Sequence, residues 1–165
     1  MKWSKLKQTV EQKFADCLKK RVRIYATRYT TGSYFMVRGW ITVDGKEIAS
    51  FSTPDNYGKF GWNTPDINKR IPEENRTEGA AVEKGEFSRS DLINSCWDFI
   101  NMNIDEAFES DNPIIKALAV IDKRFGKRRL RNIKTENLHP LVLTLLNLRM
   151  QCEGMCMGNS ESDSS

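Results

Sequence analysis

The sequence lacks any long apolar run. Nothing in its 165 residues approaches the roughly 18 consecutive apolar positions of a membrane span, because Arg, Asn or Asp breaks the longest windows within a few places. This excludes a spanning helix and predicts a soluble chain with no membrane partner. The opening Met1-Lys2-Trp3-Ser4-Lys5 has no uninterrupted apolar stretch of about 7 to 15 residues behind its charges, so no signal peptide is expected and the expected location is cytoplasmic. Histidine occurs once, as His139, and there are four cysteines. Cys152 and Cys156 form a C-x3-C pair with no second pair nearby, so no metal site is expected. Three of the cysteines sit among apolar neighbours, where a reduced thiol behaves as a small hydrophobe, and reduced thiols are the expectation. No P-loop, H-E-x-x-H, G-x-G-x-x-G or nucleophile elbow occurs, so no residue is assigned a catalytic role and no cofactor is expected.

What is present is a localised charge. Lys123, Arg124, Lys127, Arg128, Arg129, Arg131 and Lys134 fall within residues 123–134 with no acid among them. Taking these seven from the 26 basic residues leaves 19 against 22 acidic, a net −3 for the remainder of a chain whose total is +4. The excess positive charge is therefore all in one segment.

Hydrophobic spacing supplies the architecture. Trp3, Leu6, Val10, Phe14, Cys17 and Leu18 recur at three and four, predicting an amphipathic helix over 3–20. Val22, Ile24 and Ala26 then alternate with Arg23, Tyr25 and Thr27, the period of a strand. Thr31-Gly32-Ser33 turns the chain into a second strand, Tyr34 to Val43, and Asp44-Gly45 predicts a tight hairpin returning as a third over 46–52. A two-residue loop sets Ile41 opposite Ile48, Trp40 opposite Ala49 and Arg38 opposite Phe51. That register puts Phe35, Val37, Ile41, Val43 and Ile48 on one face, and Met36, Arg38, Trp40 and Phe51 on the other. Both faces carry large apolar groups, so each needs a cover.

Residues 53–65 read as a turn-rich loop containing Tyr57, Phe60 and Trp62, and 66–86 as charged loop with short helix. Beyond them the pattern is helical. Ser88 with Asp91 resembles a cap before Leu92, Ile93, Cys96, Trp97 and Ile100, and Asn103 with Glu106 starts a short second helix. Asn112-Pro113 opens a third whose stripe is Ile114, Ile115, Leu118, Ile121 and Phe125, with Gly126 placed to end it. A last helix begins at His139-Pro140 and carries Leu141, Val142, Leu145, Leu148 and Cys152. The fold class is therefore α+β: an N-terminal helix, a three-stranded antiparallel β-meander and a helical C-terminal half. Residues 1–156 are expected to form one domain and the polar tail 157–165 to be disordered.

The candidate binding residues are Lys127, Arg128, Arg129 and Arg131 in the basic segment and Tyr57, Phe60 and Trp62 in the aromatic loop. Dense Arg and Lys suit phosphates or an acidic protein surface. The plainer reading puts Lys123 and Arg124 in the last turn of a helix, complementing its dipole, and pairs the other arginines with acids elsewhere. Loop aromatics stack on bases or anchor a protein partner, but more often cap a core. Asp44, Lys46 and Asp55 have the residue types of a metal-dependent nuclease site, yet Asp44-Gly45 is already accounted for as a turn. His139, next to a helix-initiating proline, is expected to cap or pack rather than catalyse.

Three stretches together carry a resemblance: Lys2-Trp3-Ser4-Lys5-Leu6-Lys7 with Phe14-Ala15-Asp16 behind it, Trp40 to Ile48, and Asp111 to Leu118 leading to Gly126-Lys127-Arg128-Arg129-Leu130. In these the chain resembles a family of small uncharacterised bacterial proteins, across most of its length outside 53–87 and the tail. The resemblance implies a bacterial cytoplasmic protein and no activity. The function expected from the residues is non-enzymatic protein binding. The alternatives are nucleic-acid binding through 123–134, or an enzyme with an unrecognised site.

Overall fold

The computed structural model describes residues 1–31, 34–52, 77–83 and 86–155. Its elements run in the order α1 (Trp3–Gln12), a 3-10 turn (Asp16–Leu18), β1 (Val22–Thr31), β2 (Tyr34–Val43), β3 (Lys46–Ser52), α2 (Arg89–Ile100), α3 (Ile104–Glu109), α4 (Pro113–Val120), α5 (Lys127–Arg131) and α6 (Pro140–Cys152). The strands form one antiparallel sheet in the order β1-β2-β3, so the fold is α+β with an N-terminal helix, a meander and a helical second half.

Asp44 and Gly45 stand at φ 51 and 81, the two positive values a tight hairpin turn demands. The first pairs after the turn, Val43 with Lys46 and Thr42 with Glu47, are those of a two-residue loop. A bulge then leaves Ile48 without an opposite residue and shifts the register, so that Ile41 faces Ala49, Trp40 faces Ser50 and Arg38 faces Ser52. The expected pairs of Ile41 with Ile48, Trp40 with Ala49 and Arg38 with Phe51 are thus each displaced by one residue. Phe51 moves to the Ile41 face, where it is buried with Ile24, Val22 and Ala49.

Helix α2 covers this inner face, and the fit is close: a Cβ on Gly39 would lie 2.8 Å from the end of the Leu92 side chain, which would have to shift to admit it. On the opposite face Tyr25 stacks on Trp40, their rings 5.0 Å apart, with the Arg38 guanidinium over the indole. Trp97, expected on the inner stripe of α2, points outward and is 45% exposed, while Leu92, Ser95, Cys96 and Phe99 carry the buried face.

Helix α1 ends at Gln12 rather than near residue 20. The chain leaves the helix because Phe14 bridges to Asp122: Ala15 donates to the Ile121 carbonyl and Lys123 to that of Lys13, both at 2.8 Å. Phe14 and Leu18 are buried all the same, through an extended link and a 3-10 turn instead of helix. The same bridge ends α4 at Val120, so Gly126 does not terminate it. Gly126 has φ −74 and is the N-cap of α5, a helix the hydrophobic pattern does not predict.

Cys17 and Cys152 are joined as a disulfide between the 3-10 turn and the end of α6, which corrects the expectation of reduced thiols. They lie 135 residues apart in sequence, a distance at which spacing says nothing about pairing. Cys96 is free and buried, and its burial pushes the thiol up to about 12. Among the described residues no helix is long and apolar enough to cross a membrane.

Candidate functional site

The basic segment begins at a turn whose carbonyls are held from below. Arg149 on α6 is only 3% exposed, and its guanidinium donates to the carbonyls of Val120 at 3.2 Å, Asp122 at 2.9 Å and Phe125 at 2.9 Å. Its remaining direction is filled by the Glu153 carboxylate at 2.9 Å, one helical turn on. Planar, multiply donating arginine suits this role because the residues after a broken helix leave several carbonyls without helical partners. The Asp122 side chain, fully buried, accepts from the Arg124 backbone at 2.8 Å and from its guanidinium at 2.7 Å. That carboxylate raises the Arg124 guanidinium above its ordinary range. Lys123 and Arg124 therefore lie beyond the last turn of α4, and Arg124 answers a carboxylate rather than a helix dipole.

On this platform stands α5, which the structure builds from four of the predicted binding residues and the buried anchor Leu130. The four differ in what they meet. Arg129 pairs with Asp105 and lies over the Phe125 ring at 4.7 Å. Lys127 approaches Glu153 at 3.6 Å. Arg128 and Arg131 are exposed, three residues apart and hence on one side of the helix, with no acidic partner among the described residues. Lys134, also exposed, has none there either, whereas the charge of Lys123, also exposed, helps to lower the Asp16 carboxyl. Tyr57, Phe60 and Trp62 lie outside the described residues, as does the tail 157–165.

His139 is 2% exposed and caps α6. Its Nδ1 accepts the Leu141 backbone N–H at 3.0 Å, which places the proton on Nε2, and Nε2 donates to the buried Glu86 carboxylate. The second Glu86 oxygen accepts from the Glu83 backbone at 2.9 Å. Both ring nitrogens are thus used in the fold, and the Phe87 ring packs 5.7 Å away. A polar pocket of about 80 Å³ touches His139 beside Ser110, Asp111 and Lys116. Its size suits water rather than a substrate, since ligand pockets run to roughly 300–1,000 Å³. Asp44 is likewise engaged: Arg21 forks its carboxylate with two bonds of 2.9 Å, holding the carboxyl below its ordinary range. Among the described residues no three His, Cys, Asp or Glu side chains converge on a point that would hold a metal.

Sequence reasoning did not find Arg149, Glu86 or the Cys17–Cys152 link. Arg149 has a faint signal, an arginine inside an otherwise leucine-rich helical stripe; the other two depend on partners 53 and 135 residues away.

The sequence model of the SF0329 protein family matches residues 2–150. No curated protein and no solved structure matches the chain.

Proposed function

The chain belongs to the SF0329 protein family, and on that premise, which brings no activity with it, we propose that it is a non-enzymatic binding protein that docks an acidic protein surface on α5. The carrying observation is the side shared by Arg128 and Arg131, exposed and unanswered by any acid among the described residues while their neighbours are paired. Arginine presented on a fixed helix loses little freedom when it forks a carboxylate. The patch is compact: Asp105 and Glu153 bound it on α3 and after α6, and the chain outside 123–134 is net negative. A long polyanion meets repulsion beyond such a patch, which favours an acidic protein over nucleic acid. Tyr57, Phe60 and Trp62 belong to the proposal as a second contact, and a bacterial, cytoplasmic setting belongs to it as well. The disulfide weighs against the cytoplasmic part of that setting, because such bonds seldom persist in a reducing compartment.

The test is affinity capture with the wild-type chain and with Arg128→Glu/Arg131→Glu, beside titration of single- and double-stranded DNA and RNA at low salt. A partner bearing an acidic surface and lost with the double reversal supports the reading. Nucleic-acid binding that falls linearly in log salt and vanishes in the same variant replaces it with the alternative.

A further inference from the structure

A second group of basic residues lies on α1 and the segment that enters β1. An open groove of about 470 Å³ runs between α1 and the turn entering β1, and its walls include Lys7, Gln8, Glu11, Lys19, Lys20 and Arg23. Four cations face one carboxylate. Glu11 is already committed to the fold: it accepts the Ile24 backbone N–H at 2.9 Å, bonds Lys7 and lies 3.9 Å from Arg23. Lys7 also rests over the Tyr25 ring at 4.7 Å, and Lys19 reaches Asp16 at 3.0 Å outside the groove. Lys20 has no acidic partner among the described residues and stands at φ 68, a conformation that favours glycine. A lysine at that position is costly to the backbone, and it lines a space that Lys7, Lys19 and Arg23 also line.

We infer that this groove binds a small phosphate-bearing molecule. Three rotatable ammonium groups and a guanidinium line one space with a single carboxylate among them, an excess of positive charge that suits a polyvalent phosphoryl group better than a carboxylate of lower charge. The volume falls within the range of about 300–1,000 Å³ usual for small-ligand sites.

Pyrophosphate, titrated by calorimetry and by ³¹P line broadening in low salt, is the probe, with succinate as the carboxylate arm. The wild-type chain is expected to bind pyrophosphate saturably and succinate at least tenfold more weakly, by about the margin separating polyvalent from simple ion pairing. Lys20→Gly removes the charge while suiting the backbone, and Lys20→Asn does the same with a side chain that tolerates this conformation. Each is expected to weaken pyrophosphate binding about fivefold, and Lys20→Gly/Arg23→Gln by more than about twentyfold. Arg128→Glu/Arg131→Glu leaves it unchanged, which separates this site from the one on α5. Absence of saturable binding, equal affinity for succinate, undiminished affinity in both Lys20 variants, or loss of binding in the α5 variant overturns the inference.

Discussion

The junction at 120–125 and the helix that follows it use the same residue type in opposite ways. Arg149, beneath the junction, is enclosed, spends its donors on three carbonyls and a carboxylate, and fixes where the chain goes. Arg128 and Arg131, within a few residues of that junction, spend nothing on the fold. Density of charge in the sequence ranks the second pair above the first, whereas burial reverses the order for stability. Arg21 lies between them, exposed yet held by a fork to Asp44.

Arg149→Met breaks this comparison most severely if it is tolerated. It strands three carbonyls and Glu153, and the expected loss in urea unfolding is about 3–5 kcal/mol. A loss below about 1 kcal/mol would place Arg149 with the surface arginines. Cys17→Ser/Cys152→Ser removes a link across 135 residues and is expected to cost about 2–4 kcal/mol by the same measurement, unchanged by reductant once the thiols are gone.

Arg21→Gln sharpens the middle of the series. Asp44 has its carboxyl depressed chiefly by the hydrogen bonds from Arg21, so this contribution to stability is present at neutral pH and is lost as the pH falls through the depressed value. In the variant the carboxyl should titrate back toward its ordinary 3.8, read by side-chain NMR; an unmoved titration would show that the fork does not persist in solution. The smallest effect is expected for Arg128→Glu/Arg131→Glu, whose unfolding should stay within about 0.5 kcal/mol of wild type while docking is lost. A large destabilisation would return these arginines to the fold.

Local signals in the sequence account for most of the elements. Ser88, Asn103 and Asn112 accept the helix N–H groups their positions predict, at 3.0, 2.9 and 2.9 Å. His139 caps α6, and Asp44-Gly45 makes its turn. The errors fall where a partner distant in sequence competes with local preference. The periodicity through Phe14 and Leu18 is real, since both are buried, but the bridge to Asp122 wins the backbone hydrogen bonds and breaks two helices at once. The bulge at Ile48 is invisible to an alternating pattern because the pattern assumes a fixed register. Of the candidate site, the presence of the basic segment was legible. Its division into paired and unpaired members was not, because that depends on Asp105 and Glu153, which only the folded chain brings near.

The bond between Cys17 and Cys152 makes everything between them a covalent ring, outside which lie residues 1–16, with the packed helix α1, and the residues that follow Cys152. A ring tolerates a single cut. A protease that nicks one peptide bond between the two cysteines leaves two pieces still tethered, so the products separate only when the disulfide is also reduced, and mechanical tension applied at the termini bypasses the whole enclosed sheet.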